Sequence, residues 1–328
     1  MPSNWIFWIV FNLFVLAMLA LDLGIFHRKK HVVSVREALA WTLIWVAVAA
    51  LFAVLIYFFG GVMLGGSARP RSQLSLEFVT GYLIELSLSV DNLFVFLLIF
   101  RHFSVPQELR REVLFWGVVG ALVMRAIFIG AGVTLMRRFH WIALIFGAIL
   151  IYSGIRLLRQ HGKAMHPESN VLLRGFHKMF RVTEGYEGGR FFVRRNAVRF
   201  ATPLALVLLL IETTDLLFAV DSIPAVLAVT REPFIVYTSN VFAVLGLRSL
   251  YFALSGVIES FRFLHYGLAT ILMFIGVKML ASDYIEIPTE IALAVIAAVL
   301  AISIALSLLI AGNKTEREGQ PGQGPDRS

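Results

Sequence analysis

Polar and charged positions are sparse along this chain. They divide it into nine apolar runs, at 5–26, 39–59, 76–100, 113–135, 140–158, 201–224, 234–256, 264–281 and 288–311. A helix crosses the hydrocarbon core of a bilayer with about 20 mostly apolar residues. Each run therefore predicts a spanning helix, and the predicted class is an all-α integral membrane protein with about nine transmembrane helices. No basic stretch precedes the first run; Arg28, Lys29 and Lys30 follow it instead. That order argues for a retained helix with its N-terminus outside, not a cleaved signal.

Composition supports the class. Of 328 residues, 59% are hydrophobic and only 15% charged, against about 25% charged in soluble domains. The formal charge of +8 does not point to nucleic acid, because the basic residues sit between the apolar runs. There is no cysteine, which excludes disulfides, zinc–thiolate sites and thiol catalysis. If 27–38 is cytoplasmic, the inner segments carry 21 Lys and Arg and the outer ones five. Positive charge collects on the cytoplasmic side, so the C-terminus is expected inside, and the expected location is a bacterial inner (plasma) membrane.

Two stretches inside the runs read almost alike. One is Glu85-Leu-Ser-Leu-Ser-Val-Asp91-Asn92; the other is Asp215-Leu-Leu-Phe-Ala-Val-Asp221-Ser222, with Glu212 just upstream. Two further matches keep the same order. The residues around Arg125 resemble those around Arg248, and Gly154-Ile-Arg-Leu-Leu158 resembles Gly276-Val-Lys-Met-Leu280. The offsets are 130, 123 and 122 positions. Helices 3–5 and 6–8 are thus read as a repeat. A three-helix unit ends on the opposite side from its start, so the second copy is expected to be inverted, as in many secondary transporters. The expected organisation is helices 1–2 in 1–75, a first repeat in 76–158, a basic cytoplasmic loop in 159–198, a second repeat in 199–281, helix 9 in 282–311 and a disordered tail in 312–328. Within the loop, Leu172, Leu173, Phe176 and Phe180 alternate with Arg174, Lys178 and Arg181. That pattern is either an amphipathic helix on the inner leaflet or a plain connector. Gly185, Gly188 and Gly189 mark a turn after it.

Ionisable residues at bilayer depth are costly and usually functional. Glu85, Asp91, Glu212, Asp215 and Asp221, helped by Asn92, Ser222, Ser89 and Thr214, form an all-oxygen candidate ligand set. Such oxygens suit Mn²⁺, Mg²⁺ or Ca²⁺. The histidines fall mainly in loops or at helix ends, which argues against imidazole in the central site. Glu85 and Asp91 are separated by roughly 9 Å of rise and about 120° of rotation on a straight helix. Either the helix is locally unwound, or the acids mark successive steps of a path. Pro224 makes a break near Asp221 plausible in helix 6. Arg125 and Arg248 are read as counter-charges. Pairing of acids with Arg125, Arg248 and Lys278 merely to hold helices together is the competing structural reading. Asp22 either lines an access path or pairs with the bases after helix 1. Asn240 is read as a gate, a ligand or a helix cap, and Asn12 as a link between helices.

At these residues the sequence resembles the TerC family of integral membrane proteins, and especially its Alx-like manganese exporters, within the larger LysE-type exporter group. Glu85 to Phe96, Phe218 to Ala225, Thr238 to Arg248 and Ala20-Leu-Asp22-Leu-Gly24 carry the resemblance. It implies export of Mn²⁺ as substrate, with no resident cofactor, and a link to tellurium resistance. The expectation is a non-enzymatic secondary transporter, an antiporter exchanging Mn²⁺ for protons by alternating access at midplane carboxylates. Its partners are then the cation, protons and lipid, with no nucleic acid, and either homo-oligomers or stress-complex proteins. The alternative is a membrane scaffold of a metal or tellurite stress-response complex. An intramembrane aspartyl hydrolase is set aside, since neither Tyr-Asp nor Gly-x-Gly-Asp occurs.

Overall fold

A computed structural model describes residues 5–27, 34–65, 69–139, 141–159, 181–195, 198–255, 263–282, 284–285 and 287–318. Nine helices fall at the nine expected positions among them: α1 (Trp5–His27), α2 (Val35–Met63), α3 (Arg71–His102), α4 (Gln107–Arg138), α5 (Ile142–Arg159), α6 (Pro203–Leu227), α7 (Pro233–Leu254), α8 (Leu264–Leu280) and α9 (Thr289–Glu318). Seven are long and apolar enough to cross a membrane; α8 and the first part of α1 are shorter apolar helices. Large side chains such as Leu13, Leu16, Leu43, Leu51 and Ile127 stay exposed. So much exposed apolar surface fits a multi-pass membrane protein whose outer faces meet lipid.

Several helices outrun the apolar segments that announce them. Hydropathy sees only the apolar middle, whereas Gln107-Glu-Leu-Arg-Arg-Glu112 continues the α4 helix in polar surroundings. Prolines set the starts. Pro70 and Pro106 are N-caps, and Pro203 and Pro233 open α6 and α7, where the missing N–H costs nothing. The spacing of Glu85 and Asp91 leaves open whether the helix is unwound or the acids mark successive steps, and Pro224 leaves open a break in helix 6. Both α3 and α6 are unbroken through their acidic motifs. Pro224 is tolerated because α6 ends at Leu227, so only its last turn feels the missing donor. The α9 helix continues to Glu318 instead of ending at 311, carried by residues such as Lys314, Glu316 and Arg317 that favour helix. Residues 319–328 of the expected disordered tail lie outside the described residues.

The basic loop contains a small sheet that hydropathy misses: β1 (Arg181–Val182), β2 (Phe192–Arg195) and β3 (Val198–Ala201). β3 is central, parallel to β1 and antiparallel to β2. The expected turn is present, with Gly188 at φ +58°, a conformation glycine adopts freely. Tyr186 donates to the Phe103 carbonyl at 2.7 Å and ties this segment to the end of α3. The amphipathic stretch expected over 172–180 lies outside the described residues; Arg181, expected with it, belongs to β1.

Packing centres on α3 and α6–α8. α3 lies against α7, and α4 against α6; α3 also meets α6, α4 meets α7 and α5 meets α8. These contacts are exchanged in pairs, as two units related by a pseudo-two-fold axis would exchange them. Trp8 and Phe11 of α1, Phe52 of α2, Phe78 of α3 and Phe234, Tyr237 and Phe242 of α7 form an aromatic cluster, with Phe52 and Phe242 centred 5.0 Å apart. Each such pair adds about 0.5–1.5 kcal/mol beyond area burial. The expected role of Asn12 is visible here: it accepts from Tyr237 Oη at 2.8 Å and joins α1 to α7.

Candidate functional site

Glu85, Ser89 and Asn92 recur at spacings of four and three on α3, so they share one buried stripe. On α6, Asp215 and Ser222 are seven apart and both buried. The two helices pack together, which places these polar groups inside the bundle. Between them comes Arg125 from α4, 1% exposed. Its Nη1 is paired with Glu85 Oε1 and also donates to Asn240 Oδ1 at 3.0 Å; its Nη2 donates to Asp215 Oδ1 at 3.2 Å. One guanidinium thus joins α3, α4, α6 and α7.

Arg125 therefore pairs with two of the five candidate acids, Glu85 and Asp215. The arrangement also changes the reading of Asn240. The residue lies within α7, fully buried, donates to Val236 O at 3.1 Å and accepts from Arg125, so it is an internal network member and not a helix cap. Formally, two carboxylates share one guanidinium and one negative charge remains. Glu85 Oε2, Ser89 Oγ, Asp215 Oδ2 and Ser222 Oγ are buried with no hydrogen-bond partner among the described residues, as are Arg125 Nε in the same network and Tyr251 Oη. An orphaned buried oxygen is costly, and it can accept from water or bind a cation.

The motif aspartates sit apart from Arg125. Asp221 accepts from Ser153 Oγ of α5 at 2.6 Å. Asp91 faces His265 of α8, with Oδ1 3.6 Å from Nδ1. Asp221 of α6 thus meets α5, and Asp91 of α3 meets α8. Glu212 is half-buried on α6 beside Gly120 of α4; a methyl group on Gly120 would run into its carboxylate. Thr214 spends its hydroxyl proton on Leu210 O at 2.7 Å. Arg248 is 8% exposed and lines a small cavity with Met18, Leu19, Trp45, Phe115, Val118 and Leu245. Asp22 lies on α1, but its side chain is outside the described residues. Among the described residues, no three acidic or histidine side chains converge on one point. The five acids are therefore distributed along the bundle and do not form a single cluster.

Two participants escape the sequence reading. His265 opens a short helix, and a histidine at a helix end carries no signal for a central site. Glu77 of α3 is 2% exposed, accepts from Thr230 Oγ1 at 2.5 Å and pairs with Arg69 at 3.2 Å. The repeat comparison could not single it out, since Val207 stands at the offset of 130. Its position inside the third apolar run was the available signal.

Residues 71–315 match the model of the integral membrane protein TerC family. A membrane protein of Myxococcus xanthus, STKORF319, is 48% identical over 302 residues, covering 92% of each chain. A protein of Escherichia coli strain K12, named for a proposed role as a membrane-bound redox modulator (Alx), is 45% identical over 301 residues, 92% of this chain and 93% of that one. A membrane protein of Rickettsia bellii is 40% identical over 302 residues, 92% of this chain and 97% of its own. No solved structure matches the chain. Family match and relatives alike span the helices that carry the buried acids, and the chain belongs to the TerC family of integral membrane proteins.

Proposed function

We propose that this protein is a secondary transporter that exports Mn²⁺ from the cytoplasm in exchange for protons. The observation that carries the reading is the set of orphaned buried oxygens, Glu85 Oε2, Ser89 Oγ, Asp215 Oδ2 and Ser222 Oγ, on two packed helices. A purely structural ion-pair network would leave fewer acceptors unused. Oxygen donors of this kind suit hard divalent cations. With the acids strung along the bundle, the cation would pass from one carboxylate to the next, Asp91 and Asp221 lying outside the reach of Arg125 as described above. Asn92 and Ser222 would supply neutral oxygens beside them, and Glu212 a carboxylate between α6 and α4.

The exchanged helix contacts support an inverted repeat, in which rocking of one unit against the other opens the path to either side. With the N-terminus outside, the sheet and the inner ends of α3 and α4 face the cytoplasm. Carboxylates that release the cation can take up protons, which gives the exchange its return cargo.

The name of the Escherichia coli relative brings a second reading, a redox-modulating role. This chain has no cysteine, so thiol exchange within it is excluded. Such a role would act through metal supply or partner proteins, as the scaffold alternative also would.

The test is cell manganese under manganese load in a strain lacking its own exporters. Wild type should lower it, and Asp91→Asn or Asp221→Asn at equal membrane abundance should not. Equal manganese with the vector, wild type and both variants would reject the reading.

A further inference from the structure

We propose that Glu77 is the outer proton station of the transport path, taking protons from the outer surface and passing them along α3 to the carboxylates beside Arg125. The proposal rests on the transport reading above and names the residue through which its return cargo enters. Glu77, Gly81, Glu85 and Ser89 recur at spacings of four on α3, so they lie along one stripe of the helix. Glu77 therefore extends the stripe that carries the central acids. Eight residues place it roughly 12 Å from Glu85 along the helix axis. With the N-terminus outside, the start of α3 is its outer end, and Glu77 lies in the second turn.

The carboxylate is 2% exposed, yet it is one side chain from water. Arg69 donates to its two oxygens at 3.2 and 3.3 Å and is itself 39% exposed. Thr230, in the connection between α6 and α7, donates to Oε2 at 2.5 Å. A hydroxyl both donates and accepts, so this contact serves either protonation state of Glu77. The charges facing Glu77 are Arg69 from the α2–α3 connection, Glu232 at the N-cap of α7 and Lys278 of α8, with Glu290 of α9 acting on Lys278. Two bases thus stand against two acids besides Glu77 itself. No surplus of positive charge keeps a proton off Glu77, and water screens the exposed end of the Arg69 pair.

Inward of Glu77 the stripe is tightly packed. A methyl on Gly81 would meet Ser239 Oγ of α7 at 2.9 Å and Val226 of α6 at 3.1 Å. Glycine there lets the Ser239 hydroxyl lie against α3 between Glu77 and Glu85. Ser239 is fully buried and donates to Val236 O at 3.1 Å. Its neighbour Asn240 accepts from Arg125, which pairs with Glu85 and Asp215. Acceptors for an arriving proton lie there: Glu85 Oε2 and Asp215 Oδ2 have no hydrogen-bond partner among the described residues. The Gly81–Ser239 contact leaves no room for a hydrated cation, whereas a proton needs only hydroxyls and single waters in sequence. Protons and Mn²⁺ would thus reach the central acids by different routes.

The experiment uses the full chain in liposomes, with two readouts. One is Mn²⁺ movement against a pH-sensitive dye. The other is self-exchange of radioactive Mn²⁺ at equal concentration on both sides, which needs no net proton movement. Wild type should show both. Glu77→Gln keeps the shape of the side chain and an oxygen for Thr230. It should keep its self-exchange and lose proton-coupled exchange by about tenfold or more, the weight of a positioned proton carrier. Glu77→Asp should recover part of the coupled rate with a shifted pH profile, because it restores a titratable group. Proton-coupled exchange as fast in Glu77→Gln as in wild type overturns the station. So does a folded Glu77→Gln that loses both exchanges together, as a mere clamp between α3 and α7 would. Wild-type self-exchange without proton movement overturns the station and the proton half of the transport reading, and leaves Mn²⁺ carriage standing. Neither exchange in wild type overturns both readings.

Discussion

Gly147 of α5 and Gly276 of α8 face one another so closely that a methyl group on either would press on the other's carbonyl oxygen, at 3.0 Å from Gly147 and 2.8 Å from Gly276. The approach is echoed nearby, where a methyl on Gly154 would come 2.9 Å from Ala269 O. An offset of 122 carries Gly147 to Ala269 and Gly154 to Gly276, so the two contacts join positions that the expected repeat would exchange. Small residues let membrane helices approach where no hydrophobic force gathers them. Gly276→Ala should therefore destabilise the protein, by about 1–3 kcal/mol for an overpacked contact. Gly130→Ala is the control, because nothing lies within 4 Å of its added methyl. Thermal unfolding in detergent should show a lower midpoint for the first variant and an unchanged or slightly higher one for the second.

Arg125 holds Glu85 and Asp215 together across α3, α4 and α6. Removing one partner of a buried ion pair strands the others and costs about 3–5 kcal/mol. Arg125→Leu should thus lower yield and unfolding midpoint sharply. Adding Glu85→Gln to it should recover part of the loss, because one stranded charge is gone. Arg125→Lys should restore little, since an ammonium lacks the planar fork that reaches several acceptors. Should Arg125→Leu unfold like wild type, the network would not be holding the bundle.

The two polar contacts of Glu77 differ in exposure and should differ in weight. Thr230 is buried and its hydroxyl meets Glu77 Oε2, while the Arg69 side chain is 39% exposed. Thr230→Val should cost about 1–3 kcal/mol, the penalty for leaving a buried charged acceptor short of a donor. Arg69→Ala should cost less than Thr230→Val, because the Arg69 side chain is 39% exposed and its interaction is screened by water. Chemical denaturation of the two variants side by side checks the order.

The sequence makes the helices plain and the pairing of side chains obscure. Hydropathy locates all nine helices because apolar length is a strong, local signal. It places their ends poorly, since Gln107 to Glu112 and Lys314 to Glu318 are polar yet helical. It also misses the three short strands, whose Arg194 and Arg199 pair across the sheet with no apolar alternation to announce them. The repeat picks out Glu85, Asp91, Asp215 and Asp221 together, because like positions recur. Which acid meets which partner depends on contacts far apart in sequence. Asp91 with His265, Asp221 with Ser153 and Glu85 with Arg125 are such contacts, and no spacing encodes them. Glu77 shows the complementary blind spot: without a counterpart in the second unit, it is invisible to comparison of the halves.

Glu212 offers a test of the path that does not begin by removing a carboxylate. Gly120 leaves the room its carboxylate occupies on the α4 surface, and a methyl there would have to push the carboxylate aside. Its side chain is flexible, so the helix need not move. Gly120→Ala should therefore fold normally and still impair Mn²⁺ export, by displacing the group that Glu212→Gln neutralises. Two changes acting through one group are not additive. The double variant should then export no worse than the more impaired single one, measured as manganese efflux at matched membrane abundance. Losses that multiply in the double variant would mean that Gly120 acts elsewhere, and the placement of Glu212 on the path would lose its support. Gly117→Ala serves as the comparison for crowding alone, since its methyl would meet Ile211 at 3.2 Å and no carboxylate.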